Sequence, residues 1–199
     1  GLALIDADVT RLADALAREA RRHRDTPIAG RTLLQQALPV TLGLKLAGTY
    51  SAMRRHAARL ARAAAGVRVL QFGGAAGTLA SLAGAAHDVE RALANELQLD
   101  VADLPWHTQR DRLVDVAAAL GNLIATLGKL ARDVSLLAQT EVGEAFEPSA
   151  PGRGGSSTLP HKRNPVGCAV ALAAATRAPG LVATMMAAAV QEHERGLGD

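Results

Sequence analysis

The sequence has few aromatic residues, and this scarcity limits how its core can be built. Only 2% of the 199 residues are aromatic, whereas 43 are Ala and 29 are Leu. Ala and Leu are strong helix formers, and the aromatic and β-branched residues that favour strands are scarce. The composition therefore predicts an all-α protein and argues against a β-sandwich, a β-barrel or a disordered chain.

Cysteine and an excess of charge are lacking as well. The 22 basic and 19 acidic residues give a formal charge of +3, and the basic side chains are spread along the chain. Nothing here favours nucleic-acid binding. Cys168 is the single cysteine, so no internal disulfide can form, and no charged-then-apolar leader opens the sequence. We therefore expect a reducing, cytoplasmic setting and a small, buried, inert Cys168.

Ligand-like spacing of His, Cys, Asp and Glu is absent too, so we expect neither a metal nor a cofactor. The most apolar stretch, residues 166–190, is interrupted by Arg177, Pro179 and Gly180. It is interpreted as a buried helix that Pro179 kinks or ends, with no membrane partner.

Hydrophobic spacing of three and four residues is what the sequence does contain, and it indicates long helices. Helices are predicted over residues 9–23, 39–66, 87–99 and 113–137, with Pro39 in the first turn of the second. The apolar stripe of about seven turns in the last of them suits a long-helix bundle. We interpret residues 1–199 as one central helical-bundle domain and as a piece of a longer protein.

Helical periodicity stops between Gly143 and Pro165, and this stretch is predicted to be a mobile, functional loop. Residues 154–165 read Gly-Gly-Ser-Ser-Thr-Leu-Pro-His-Lys-Arg-Asn-Pro. Asn164 is the expected N-cap of the next helix. Lys162, together with the free amides and dipole of that helix start, would stabilise a serine alkoxide or another anion. From these residues alone, a flexible linker before an ordinary helix cap is the alternative.

The loop resembles the signature of the fumarase/aspartase superfamily, Gly-Ser-Ser-x-Met-Pro-x-Lys-x-Asn, with Leu159 in place of methionine. The resemblance implies proton transfer next to a carboxylate through an aci-carboxylate intermediate, with loss or addition of a group at the β-carbon. It also implies that Ser156 is the catalytic base and that Lys162 and Asn164 bind the substrate carboxylate. The matched positions are Gly155, Ser156, Ser157, Pro160, Lys162 and Asn164.

Residues 30–43 resemble a second signature of the superfamily, in which a histidine acting as general acid follows a threonine. Leu33 occupies the histidine position and cannot transfer a proton. The resemblance still implies that Thr32 contacts substrate. The glycine-rich turn at residues 71–78 is similar to a Gly-Ala-x-Gly-Thr segment of the family and is expected to be structural.

Residues 160–165 resemble the branch that holds the adenylosuccinate lyases and the lactone-forming cycloisomerases. Two further runs, residues 105–112 and 191–198, resemble the cycloisomerases. Leu33 agrees with this, because in lactonisation the substrate's own carboxylate adds to a double bond and no separate nucleophile exchanges a proton. Ser156 is then the candidate donor of a proton to the carbon beside the aci-carboxylate.

Four other residues have weaker assignments. Arg195 resembles an anion-binding arginine of the family, although a helix-surface arginine is usually solvated. Trp106 is expected near the substrate, with core packing as the alternative, and His107 and His193 are alternative proton donors. The resemblance to the superfamily also has implications for the substrate and for assembly. It implies a small polycarboxylate substrate, and it implies a homotetramer whose active sites combine segments of three subunits.

Two other functions stay open on the sequence. One is an adenylosuccinate-lyase-like, fumarate-releasing enzyme. The other is a non-catalytic helical module that only oligomerises. We expect the 199-residue chain itself to associate with little or no turnover.

Overall fold

The computed structural model describes residues 1–148, 154–156, 158–159 and 161–196. Within these ranges five α-helices, one short 3-10 helix and one β-hairpin form. The predicted all-α class is confirmed, although the hairpin was not predicted. The elements are α1 (Leu2–Arg22), β1 (Pro27–Thr32), β2 (Gln35–Thr41), α2 (Leu42–Val67), the 3-10 helix (Ala80–Ala85), α3 (Ala86–Leu97), α4 (Asp111–Leu137) and α5 (Val166–Ala187).

The chain divides into two compact units. The first unit comprises residues 1–58 and 121–179, and the second comprises residues 59–120 and 180–199. Helices α2, α4 and α5 each contribute residues to both units. The interpretation of residues 1–199 as a single domain stays a prediction.

Residues 27–41 form an antiparallel hairpin where the sequence predicted a break and a helix start. Thr32 pairs with Gln35, so Leu33 and Leu34 form a two-residue turn with φ of 50° and 62°. Positive φ at both turn positions matches the twist of the strands. Pro39 lies in β2, which is an edge strand of a two-stranded sheet and so tolerates proline. The placement of Pro39 in the first turn of α2 was therefore wrong.

Thr41 marks the real start of α2, because its hydroxyl oxygen accepts a hydrogen bond from the amide of Leu44 at 3.1 Å. The predicted boundaries of α3 and α4 agree with the structure to within two residues, whereas α1 begins at Leu2, seven residues before its predicted start. Amphipathic spacing explains α1, whose buried residues are Val9, Ala13 and Leu16.

Small side chains allow α4 and α5 to approach closely in the first unit. A Cβ built on Gly128 would overlap the Cβ of Ala175. Two residues before Gly128 on α4, the hydroxyl of Thr126 lies 2.8 Å from Nε2 of the buried His56 on α2. An alanine-rich core with few aromatics is thus packed by close backbone approach rather than by large side chains.

The apolar surface of α5 is mostly exposed. The helix continues through Pro179 to Ala187, and its buried residues within the described chain are Cys168 and Ala178. Val170 is 67% exposed and Leu181 is 56% exposed. The prediction of a buried helix is therefore wrong for the single chain, because composition does not reveal which surface covers an apolar helix. By length and composition alone, α4 and α5 could each cross a membrane.

Candidate functional site

Ser156 lies in what we call the serine loop, residues 154–165, and its hydroxyl oxygen is held by the loop's own backbone. Oγ accepts hydrogen bonds from the amides of Thr158 at 3.3 Å and Leu159 at 3.1 Å. Two donors directed at one oxygen favour its ionised form. The sequence assigned this role to Lys162 and a helix terminus and missed these two amides. Ser157 and Pro160 of the signature lie outside the described residues.

Asn164 bridges the serine loop. Its backbone amide donates to the carbonyl of Gly154 at 2.8 Å, and its side-chain amide donates to the carbonyl of Gly155 at 3.4 Å. Gly154 has φ of +72°, and a Cβ there would lie 2.8 Å from the carbonyl oxygen of Asn164, so only glycine fits. The predicted side-chain N-cap by Asn164 was wrong, since its amide group faces back into the loop.

Glu147 supplies the cap of α5 instead. Its two carboxylate oxygens accept hydrogen bonds from the amides of Gly167 at 3.0 Å and Cys168 at 2.6 Å. These two amides were expected to be open to an anionic ligand, and an internal carboxylate occupies them. The contact joins residues 20 and 21 positions apart, so local patterns could not reveal it. The acids at positions 141, 144 and 147, ahead of the loop, were the available signal.

Cys168 is buried, which confirms the prediction that it is a small residue of the core. Burial raises the pKa of its thiol, the neighbouring Glu147 carboxylate adds to the increase, and a hydrogen bond with Ser135 opposes it. A protonated, buried thiol is a poor nucleophile.

Lys162 presents its ammonium group to solvent. Its side chain is exposed and makes no hydrogen bond or ion pair with the described part of the chain. An ammonium group in this condition remains available to an anionic ligand.

Thr32 is exposed at the end of β1, beside an ion pair that ties the hairpin to the segment after α4. The guanidinium of Arg31 donates to both carboxylate oxygens of Glu144, at 2.6 and 2.8 Å. The hydrogen bond with Arg31 lowers the pKa of Glu144 and raises the pKa of Arg31. Leu33 is 95% exposed and supplies no acid at the turn.

The second unit contains a cavity of about 210 Å³. It is lined by the glycine-rich turn, by residues of the 105–109 segment and by His193 and Glu194. These are three of the segments that resemble the family in sequence, and the structure brings them together within one unit. His107 and His193, the two alternative proton donors, both line this cavity.

Arg195 and Trp106 are held by backbone groups of the same unit. Arg195 donates to the carbonyl of Gly74 at 2.9 Å. The indole nitrogen of Trp106 donates to the carbonyl of Leu70 at 3.1 Å, and its backbone amide donates to Oε1 of Gln71 at 2.6 Å. Trp106 lies outside the cavity lining, so its contacts are those of a packing residue. Substrate contact by either residue stays a prediction.

The predicted site residues thus fall into two groups. Thr32, Ser156, Lys162 and Asn164 belong to the first unit, and Trp106 and Arg195 belong to the second. The described residues include no group of three or more His, Cys, Asp or Glu that could hold a metal ion.

Comparison with known proteins identifies the family. A lyase family model matches residues 2–180. The chain is 62% identical over 99% of its length to a 3-carboxy-cis,cis-muconate cycloisomerase of Pseudomonas aeruginosa and covers 43% of that protein. A nitrosuccinate lyase of Streptomyces davaonensis is 45% identical over 98% of the chain, which covers 43% of that relative.

Solved structures agree with this assignment. The 3-carboxy-cis,cis-muconate lactonizing enzyme of Pseudomonas putida superposes with a TM-score of 0.93 and 59% identity, over 99% of this chain and 44% of that one. The chain spans less than half the length of these relatives. It belongs to the lyase family, within the fumarase/aspartase superfamily that its serine loop resembles.

Proposed function

We propose that the full-length protein is a 3-carboxy-cis,cis-muconate cycloisomerase that forms 4-carboxymuconolactone in protocatechuate degradation. The observation that carries the chemistry is the serine loop, in which the Ser156 oxygen faces two backbone amides. The 62% identity with the Pseudomonas aeruginosa cycloisomerase supports the choice of substrate.

The arrangement suits proton transfer to carbon. The Ser156 oxygen accepts the hydrogen bonds from the amides of Thr158 and Leu159, so its own hydrogen is not used in them. One substrate carboxylate adds to the double bond, and the displaced electron pair moves into the neighbouring carboxylate to give the aci-carboxylate. The proton of Ser156 then passes to the α-carbon, the two amides stabilise the alkoxide left behind, and solvent returns the proton.

The remaining groups bind the substrate carboxylates. Lys162, whose side chain is exposed, and Asn164 take the carboxylate that becomes the aci-carboxylate, and Thr32 adds a hydroxyl. Arg195 takes a further carboxylate and Trp106 packs at the edge of the site. His107 and His193 are the alternative donors if Ser156 does not supply the proton. No metal or other cofactor takes part in this scheme.

The proposal extends to assembly. The exposed apolar surface of α5 supports a homotetramer in which other copies cover it and each active site combines segments of three subunits. Such an enzyme would act in the cytoplasm.

Ser156→Ala in the full-length protein tests the proposed chemistry. We expect turnover of 3-carboxy-cis,cis-muconate to fall about 100- to 10,000-fold, with the melting temperature unchanged. Ser81→Ala, at an exposed serine of the second unit, is the control and should retain activity. Near-normal turnover by Ser156→Ala would remove Ser156 as the proton donor.

A β-elimination is the second candidate, favoured by the 45% identity with the nitrosuccinate lyase. Parallel assays with nitrosuccinate and adenylosuccinate separate these reactions from lactonisation. If no substrate is turned over while the protein still associates, the protein is a non-catalytic module that only oligomerises.

A further inference from the structure

Two consecutive residues close the base of the serine loop, and we call these contacts the loop neck. Glu147 binds the amides of Gly167 and Cys168 at 3.0 and 2.6 Å. Next to it, the ring of Phe146 lies under the guanidinium of Arg163, 5.0 Å from the ring centroid. The chain that enters the loop is thus fastened to the chain that leaves it at two points.

A second closure lies inside the first. The amide of Asn164 reaches the carbonyl of Gly154 at 2.8 Å, and the segment between them carries Ser156. Each closure reduces the number of conformations open to the residues it encloses. The hydrogen bonds from Thr158 and Leu159 to the Ser156 oxygen depend on these residues keeping one arrangement.

We propose that Glu147 is a positioning residue for Ser156, acting through the loop neck. This inference rests on the proposed function of Ser156. Glu147 acts by fixing where the loop returns to α5, through its hydrogen bonds with the amides of Gly167 and Cys168. Because those amides bind Glu147, the substrate carboxylate is left to the side chains of the loop.

A carboxylate is the group that this position requires. Two amide hydrogens point at it, and glutamate offers an acceptor oxygen to each. Glu147→Gln sets a donor NH₂ against one of these amides, whereas Glu147→Asp keeps both acceptors on a shorter stem. Phe146→Leu removes the ring under Arg163 and leaves the carboxylate in place.

The test uses the full-length protein and two measurements. The first is kcat and KM for 3-carboxy-cis,cis-muconate, taken well below the melting temperature of every variant. The second is amide hydrogen exchange of the peptide covering the serine loop, compared with a peptide from α1 in the same molecule. Glu141→Gln is the matched control, because Glu141 is an exposed acid of the same segment whose side chain has no partner among the described residues.

We expect Glu147→Gln to lower kcat about 10- to 100-fold, since a small displacement of a reacting group costs this much. Loop exchange should accelerate while α1 exchange stays constant. Glu147→Asp should fall between Glu147→Gln and the parent. Phe146→Leu should shift both readouts in the same direction by about two- to fivefold, and Glu141→Gln should shift neither.

Two results would overturn the proposal. One is a melting temperature that falls in Glu147→Gln while kcat and loop exchange match Glu141→Gln, which would leave Glu147 as a helix cap alone. The other is a loss of kcat with loop exchange unchanged, which would place Glu147 in the chemistry. Failure of the proposed function looks different, because the parent protein would then be inactive while the exchange comparison could still be made.

Discussion

Gly128→Ala tests whether the close approach of α4 and α5 in the first unit depends on the missing side chain at position 128. The new Cβ would overlap the Cβ of Ala175. Neither atom can move away by rotating a side-chain bond, so one helix backbone must shift. The start of α5 carries the amides that Glu147 binds. A shift of α5 would therefore alter the serine loop as well as the stability of the fold.

Two terms of opposite sign determine the magnitude. Replacing a helical glycine by alanine stabilises a helix by about 1 kcal/mol. Overpacking a filled contact costs about 1–3 kcal/mol, and a clash between two Cβ atoms belongs in the upper part of that range. We expect Gly128→Ala to lower the free energy of unfolding by about 1–2 kcal/mol.

Gly48→Ala is the matched control, since a Cβ at this position of α2 meets no described atom within 4 Å. It should raise the free energy of unfolding by about 1 kcal/mol, through helix propensity alone. The double variant Gly128→Ala with Ala175→Gly restores the space and should show a coupling of about 1–3 kcal/mol.

Denaturant unfolding of the full-length protein at one fixed concentration gives these values. Equal stabilisation by Gly128→Ala and Gly48→Ala would refute the close approach of α4 and α5. So would a double variant whose effect is the sum of its parts.

Two further predictions concern the hairpin. Because Arg31 lowers the pKa of Glu144, the pair stabilises the fold above the usual glutamate pKa of about 4.3 and loses this contribution as the pH falls through the lowered value. The gap in unfolding midpoint between the parent and Glu144→Gln should therefore close between pH 5 and acid pH; a gap constant over this range would contradict it. Leu34→Gly should stabilise the turn by up to about 1 kcal/mol, because Leu34 has φ of 62°, whereas Leu34→Ala keeps the strain and should give no gain in a thermal melt.

Helix periodicity predicted most of the fold, because an apolar stripe is a local property of the sequence. Residues 113–137 predicted α4 almost to its ends. The hairpin was missed because Leu33-Leu34 lacks the Asn or Gly typical of such turns, and Pro39 has the features of a helix start. A leucine pair with positive φ is set by tertiary context that no local pattern records.

In the serine loop, too, some features could be predicted from the sequence and others depend on the fold. Its signature predicted roles for Ser156, Lys162 and Asn164, but the groups that contact Ser156 and Asn164 are set by the folded backbone. Asn164 bonds to Gly154 and Gly155, and the cap of α5 comes from Glu147, 20 residues from Gly167. Sequence spacing gives the chemical groups of a site and leaves their partners to the fold.

The sequence has three lysines, and they differ in whether an acidic side chain already offsets their charge. This difference bears on which of them could stabilise the negative charge of the aci-carboxylate. Lys129 pairs with Asp133, and Lys45 lies close enough to Glu144 to lower the pKa of that carboxyl. Among the described residues, Lys162 is the lysine without an acidic neighbour that offsets its charge, and the amides of Gly167 and Cys168 at the start of α5 are filled by Glu147.

In the proposed reaction the aci-carboxylate gains negative charge that the ground-state carboxylate lacks. A cation whose charge is not already balanced gains more from that increase than one held in an ion pair, so its binding is stronger in the transition state than in the ground state. Glu147 contributes to this selectivity indirectly. By occupying the helix start, it leaves the new charge to the side chains of the serine loop, where Arg163 packs on the Phe146 ring and the Lys162 ammonium faces solvent.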